Sequence, residues 1–218
     1  MSNNVGMLTM HRILVAGIGT NVGKTVVSAI LTHIVDGDYW KPIECESKER
    51  SDTTTIKKWI DPLKTLIHPP AYSLQNPLSP HHAARLENVY INSKTILPPK
   101  TDRSLIIEGV GGIYVPLTMQ ELSFHLFKTW GCKWIVVSNH YLGSINHTLL
   151  TIEVLKQFKI PILGVIFNGE PNLDSEMAIL SYTKLPFLGR LIPEPHLNKK
   201  IITKYASLWQ TSFLKILR

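Results

Sequence analysis

The chain has 218 residues, 44% of them hydrophobic, with 23 lysines and arginines against 16 aspartates and glutamates. That is enough for one domain with a good core. The formal charge of +7 favours anionic ligands, but the basic residues are scattered, without the dense run or aromatic interleaving of a nucleic-acid binder. No stretch approaches the roughly 20 apolar residues that span a bilayer. The N-terminus, MSNNVGMLTMHR, lacks a basic segment followed by an apolar core and a cleavage site. Two cysteines, Cys45 and Cys132, make neither a disulfide framework nor a zinc pair. These features predict a soluble protein of a reducing cytoplasm, without a nucleic-acid or membrane partner.

In chain order, Arg12–Ala16 (RILVA) is an apolar run ending in glycines, as expected of a strand buried on both faces. GIGTNVGKT follows, and KTVVSAILTHIV then has apolar residues on a helical period. Further buried strands are predicted at Tyr39–Ile43, Ser104–Ile107, Trp134–Val137, Ile162–Phe167 and Phe187–Leu191. Helical patterns fall between most of them, at Ser51–Ile60, Met119–Trp130, Ser144–Phe158 and Asp174–Lys184, with a last one from Leu197 to about Ile216. This alternation predicts an α/β fold, a mainly parallel sheet with helices on both faces and ligands at the carboxyl ends of its strands. The proline-rich segment from Asp61 to Pro99 reads as a surface excursion with one helix near His81–Glu87.

GIGTNVGKT departs from the standard phosphate loop, G-x-x-x-x-G-K-S/T. Ile18 stands where the first glycine belongs, and the glycines are Gly17 and Gly19. Gly23, Lys24 and Thr25 nevertheless supply the turn, the phosphate lysine and the Mg²⁺ hydroxyl at the start of a helix, between a buried strand and an amphipathic helix. That context predicts a nucleoside triphosphate site in a P-loop NTPase fold. Mg²⁺ also needs carboxylates. Glu108 ends the strand SLIIE beside the loop, and Asp52, at a helix start, is the second candidate, although such an Asp is commonly just a cap. Lys41 ends a strand at the same edge, placed for anion stabilisation.

Taken together, GIGTNVGKT, KPIEC at Lys41, SD at Ser51, SPH at Ser79, EGVGGIYVPL at Glu108, LGSINHTLLT at Leu142, GVIFN ending at Asn168 and LGRLIP ending at Pro193 closely resemble the dethiobiotin synthetases. The resemblance runs from about residue 12 to 195 and includes the same one-residue excess in the loop. It implies a homodimeric ligase using ATP, Mg²⁺ and carbon dioxide or bicarbonate to close a ureido ring on 7,8-diaminopelargonic acid. The path runs through an N-carbamate and a carbamic-phosphoric anhydride. It also implies residue roles. Gly19, Thr20, Asn21, Val22, Gly23, Lys24, Thr25 and Val26 would cradle phosphate, with Asn168 and Pro193 at the nucleobase. Thr25, Asp52 and Glu108 would hold the metal. Lys24, Lys41 and Thr20 would serve catalysis, and Thr20, Lys41, Cys45, Gly111 and Gly112 would meet the diamine. Ser144, Ile145 and Asn146, opening a helix, would bind the substrate carboxylate from the partner subunit, so each active site would need two chains.

Cys45 and Asn21 depart from residues common in the family, serine and glutamate. The partition and septum-site ATPases share the fold and bind DNA or membrane. Their loop carries an early second lysine, where this chain has Gly19. The histidines show no zinc-helix pairing and read as structural or surface residues. The basic amphipathic last helix reads as a cover for the sheet.

Overall fold

The computed structural model describes residues 10–217, so the reading of the N-terminus as free of a leader rests mostly on residues outside the described ones. The core element is a seven-stranded sheet in which every pairing is parallel. Its strands are β1 (Arg12–Gly17), β2 (Asp38–Trp40), β4 (Ile67–His68), β6 (Leu105–Glu108), β7 (Lys133–Asn139), β8 (Ile162–Asn168) and β9 (Phe187–Leu191). The order is β4-β2-β6-β1-β7-β8-β9. A separate pair, β3 (Ile43–Cys45) and β5 (Tyr72–Leu74), lies outside this sheet. The helices are α1 (Lys24–Val35), α2 (Asp52–Trp59), α3 (Pro80–Leu86), α4 (Ser123–Phe127), α5 (Ser144–Gln157), α6 (Leu173–Thr183) and α7 (Lys199–Leu217).

Buried side chains form one cluster on each face of the sheet. One joins α1, α2 and α7 through Val27, Ile30, Ile56, Ile202, Tyr205 and Phe213. The other joins α3 to α6 through Ala83, Phe124, Ile152, Leu155 and Ile179. Strands covered on both sides must be apolar throughout, and Ile13, Leu14 and Val15 are each fully buried. The last helix covers the sheet as its pattern predicts: Trp209 packs so close to β9 that a Cβ on Gly189 would lie 2.5 Å from its ring.

The structure differs from the sequence reading in three places. The run Tyr39–Ile43 is not one strand, because the chain leaves the main sheet at Lys41 and Pro42, and Ile43 starts β3 instead. Proline has no N–H for a ladder, but the Pro42 carbonyl accepts from the Ala71 and Tyr72 N–H groups and so starts the β3–β5 pairing. The excursion is therefore built in, contributing β4 and β5 as well as the expected helix, α3. Finally, Met119–Trp130 is helical only from Ser123, with a 3₁₀ turn over Lys128–Trp130. Upstream, Leu117 and Thr118 N–H groups bond the Glu121 carbonyl and the Thr118 hydroxyl accepts from Gln120 and Glu121, which makes a turn out of the expected first helical turn.

Candidate active site

Four strand ends meet the start of α1 at the carboxyl edge of the sheet. The loop Gly17–Gly23 leaves β1, and Lys24 is the first helical residue. Gly23 has φ 96°, and a Cβ there would lie 2.6 Å from the Asn168 amide nitrogen. Asn168, ending β8, donates from that nitrogen to the Val22 carbonyl at 3.0 Å, so β8 clamps the loop. Lys24 Nζ donates to the Gly19 carbonyl at 2.8 Å, folded back across the loop. Thr20 and Asn21 are exposed at the tip, and Val26 is half-buried in the first turn of α1. The extra loop residue leaves Thr20 facing the next wall: its Oγ1 lies 3.4 Å from where a Cβ on Gly111 would be.

Beside the loop is a charge cluster. Thr25 Oγ1 lies 2.6 Å from Asp52 Oδ1 and 3.0 Å from Glu108 Oε1; its single proton serves one of them at a time. Lys41 Nζ bonds Glu108 Oε1 at 2.9 Å and also Asp52 Oδ2. Tyr39 donates its hydroxyl to Glu108 Oε2 at 2.8 Å. Asp52 opens α2 next to its cap Ser51, whose hydroxyl accepts from the Thr54 N–H. The buried Glu44 carboxylate accepts from the Thr53 N–H at 2.7 Å, which fixes the turn that aims Asp52.

Burial and charge set the protonation of these groups. Burial pulls the Lys24 ammonium down to about 8, with the Lys41 charge adding to the effect. Burial alone would lower Lys41 too, but the Glu108 and Asp52 carboxylates outweigh it and raise it above its usual value. Burial raises the fully enclosed Glu108 carboxyl above its ordinary value, opposed by Lys41 and reinforced by the Asp52 charge. For Asp52, burial is outweighed by Lys41, so its carboxyl falls below its ordinary value. The Cys45 thiol, half-buried on β3, is pushed by burial up to about 12 and stays neutral.

A magnesium ion fits this donor set. A hydroxyl and two carboxylates converge, and a lysine ammonium already supplies a cation between those carboxylates. Mg²⁺ takes few protein oxygens and completes its shell with water and phosphate.

A cleft of about 510 Å³ opens next to Thr20, between Gly112–Val115 and the α5 side chains His147, Leu150, Thr151 and Val154. Gly143, at φ 100°, caps α5. Ser144 is buried and its N–H is bonded to the Tyr141 carbonyl, and that of His147 to the Gly143 carbonyl, leaving the Ile145 and Asn146 N–H groups at the open end. Of the expected anion site at Ser144, Ile145 and Asn146, the structure thus offers two backbone donors. Pro193 is exposed beyond β9, where Tyr205 of α7 accepts the neighbouring Ile192 N–H. Lys24, Thr25, Lys41, Asp52 and Glu108 lie together, and Thr20 with Gly111 and Gly112 forms the adjoining wall. Ser144–Asn146 open α5 after β7 and are not among the residues lining the cleft, to which α5 contributes from His147 onward. Tyr39 and Glu44 were missed: one reads as a core residue of a strand, the other as part of a charged loop.

A family model described as an AAA domain matches residues 11–200. An ATP-dependent dethiobiotin synthetase from Chlamydia pneumoniae is 44% identical over 201 residues, covering 92% of this chain and 90% of that protein. The chain belongs to the dethiobiotin synthetase family. Another dethiobiotin synthetase, from Christiangramia forsetii, is 40% identical over 93% of this chain and 97% of its own length. Among solved structures, the septum site-determining protein MinD from Pyrococcus horikoshii, complexed with Mg-ADP, aligns with TM-score 0.59 at 15% identity, covering 96% of this chain and 95% of that one. MinD from Pyrococcus furiosus aligns at 0.57 and 16%, covering 95% and 97%. At such identities the likeness shows the fold, a parallel P-loop NTPase sheet, while the dethiobiotin synthetase family has the sequence match.

Proposed function

We propose that this protein is an ATP-dependent ligase that forms dethiobiotin from 7,8-diaminopelargonic acid and carbon dioxide. The observation that carries this reading is the convergence of Lys24, Thr25, Lys41, Asp52 and Glu108 next to the cleft of about 510 Å³ beside Thr20, in a member of this family. One diamine nitrogen adds to carbon dioxide and loses a proton to give a carbamate. A carbamate oxygen attacks the γ-phosphorus, and ADP departs. The second nitrogen then attacks the carbonyl of the mixed anhydride, closing the ring and expelling phosphate.

The loop from Gly19 to Thr25 and the first turn of α1 at Val26 receive the phosphates, with Lys24 turning from the Gly19 carbonyl to the outer oxygens. Thr25, Asp52 and Glu108 would hold Mg²⁺, which offsets phosphate charge when bound. Lys41, fixed by two carboxylates at the sheet's edge, offers a preorganised ammonium to the carbamate and anhydride. Thr20, Gly111, Gly112 and the neutral Cys45 thiol line the diamine. Asn168 and Pro193 flank the nucleobase.

The homodimer belongs to the same proposal. Tyr141, the fully exposed Leu142, Ile145 and Leu150 stand out of the surface around the start of α5. An apolar patch at a ligand-facing helix end suits burial against a second copy, bringing the open Ile145 and Asn146 N–H groups to the partner's diamine carboxylate. No helix among the described residues is long and apolar enough to cross a membrane, and we place the enzyme in the cytoplasm. The test is incubation with ¹³C-bicarbonate, diamine, Mg²⁺ and ATP. Dethiobiotin carrying one ¹³C at the ureido carbon is expected; unlabelled product or none refutes the proposal. Mixing Lys24→Ala chains with Asn146→Asp chains should restore part of the activity, and inactive mixtures of exchanging subunits would refute the shared site.

A further inference from the structure

Away from the phosphate and metal side chains, a carboxylate, an imidazole and a guanidinium from three parts of the chain meet beside α6. Glu176 of α6 is 4% exposed. Its Oε1 lies 3.0 Å from His140 Nε2, just past β7, and 2.9 Å from Arg190 Nε of β9; Arg190 also reaches Oε2. The His140 ring stacks on Phe167 of β8 at 5.7 Å and 16°. Its Nδ1 is buried without a partner, so among the described residues Glu176 is the ring's polar tether.

This cluster adjoins both strand ends that flank the nucleobase in the function proposed above. The His140 N–H donates to the Asn168 carbonyl at 3.2 Å, and the Gly169 N–H to the Leu191 carbonyl at 2.9 Å. A Cβ on Gly169 would lie 3.3 Å from the His140 ring. Arg190 precedes Leu191, Ile192 and Pro193. One carboxylate therefore pulls on the residue that holds Asn168 and on the strand that ends at Leu191, two residues before Pro193. A buried charge is costly unless fully paired, and this one is satisfied only when both strand ends stand in register.

We propose that Glu176 is a positioning residue for nucleotide recognition: through His140 and Arg190 it sets the spacing between Asn168 and Pro193, and so the fit of the base. The proposal rests on the nucleotide site assigned above. It predicts an uneven defect: Asn168 also clamps the phosphate loop through the Val22 carbonyl, but that loop is anchored by β1 and α1 as well, so contacts to the base lose more than contacts to the phosphates.

The test compares wild type with Glu176→Ala and Arg190→Met by titration calorimetry. Two probes are used with Mg²⁺: the nucleoside triphosphate that wild type binds most tightly, and inorganic tripolyphosphate, which lacks base and sugar. Glu176→Ala should weaken the nucleotide by about tenfold, the equivalent of one charge-assisted hydrogen bond, with KM raised and kcat kept. Tripolyphosphate affinity should fall clearly less, by about threefold at most, since the loop keeps its anchors on β1 and α1 while only the Asn168 bond to Val22 is disturbed. Arg190→Met, whose side chain is partly exposed, should shift in the same direction and carries the test if Glu176→Ala does not fold. Equal weakening of both probes would make the cluster a general structural brace and overturn the proposal, as would unchanged nucleotide affinity in folded variants. Dethiobiotin formation by wild type is measured in parallel. Its absence alongside selective weakening would reject the ligase assignment and leave the positioning role standing.

Discussion

Replacing Lys41 by methionine removes the cation that joins Asp52 and Glu108. Lys41 is 6% exposed and Glu108 fully buried, while the Asp52 side chain is 36% exposed. Breaking a buried pair costs about 3–5 kcal/mol; because water screens the Asp52 half, the lower end, about 3 kcal/mol, applies. That is a large share of the roughly 5–15 kcal/mol that holds a domain folded. The cost depends on pH in a defined direction. With its folded pKa above the ordinary 4.5, Glu108 binds protons more tightly folded than unfolded, so its stability contribution falls as pH rises through that window. Losing Lys41 removes a group that favours the anion and widens the window. The gap between variant and wild type should therefore be largest near neutral pH and shrink toward pH 4.5. Urea unfolding followed by tryptophan fluorescence, with Trp40 adjacent, measures it. The double variant Lys41→Met/Glu108→Gln should recover at least about 2 kcal/mol of the summed single costs. A Lys41→Met cost below about 1 kcal/mol, or strict additivity, would refute the picture of a buried, mutually dependent pair.

Four further outcomes follow from the same geometry. Adding Mg²⁺ should raise the melting temperature of Lys41→Met more than that of wild type, because the ion replaces the missing cation between Asp52 and Glu108; equal shifts in calorimetry would count against the metal assignment. Lys24, lowered to about 8, loses its charge in the free protein as pH rises through that value, so triphosphate affinity should drop above pH 8. Between pH 8 and 10.5 the unfolded chain binds the proton that the folded one releases, so stability gains with pH there. Lys24→Met should then be more stable than wild type at pH 7 by up to roughly 3 kcal/mol, with the difference closing as pH approaches 10.5; a pH-independent difference in thermal unfolding would contradict this. Gly23→Ala, at φ 96° and 2.6 Å from the Asn168 amide, should cost about 1 kcal/mol or more and abolish nucleotide binding in a calorimetric titration.

The phosphate loop was legible because its chemistry is local: glycines, a lysine and a hydroxyl in consecutive positions between a buried strand and a helix. Lys41, Asp52 and Glu108 were also legible, since each ends a strand or starts a helix at the edge where ligands gather. What could not be read is how they neutralise one another. The bond from Tyr39 to Glu108 joins residues 69 positions apart, and the cluster of His140, Glu176 and Arg190 spans three elements. Neither has a spacing that periodicity reveals. The break after Trp40 was marked by Pro42, but an apolar run with one proline also reads as an edge strand. The over-long helix at Met119 followed from apolar spacing alone; Thr118 makes an alternative turn there by bonding its neighbours' backbone.

The most direct test of the central claim is the coupling of phosphate release to the diamine. Purified protein is given Mg²⁺, bicarbonate and each of four nucleoside triphosphates, with and without 7,8-diaminopelargonic acid. The account predicts one phosphate released per dethiobiotin formed, and almost none when the diamine is left out. Phosphate release indifferent to the diamine, and stimulated instead by DNA or lipid vesicles, would contradict it and assign the site to a partitioning ATPase.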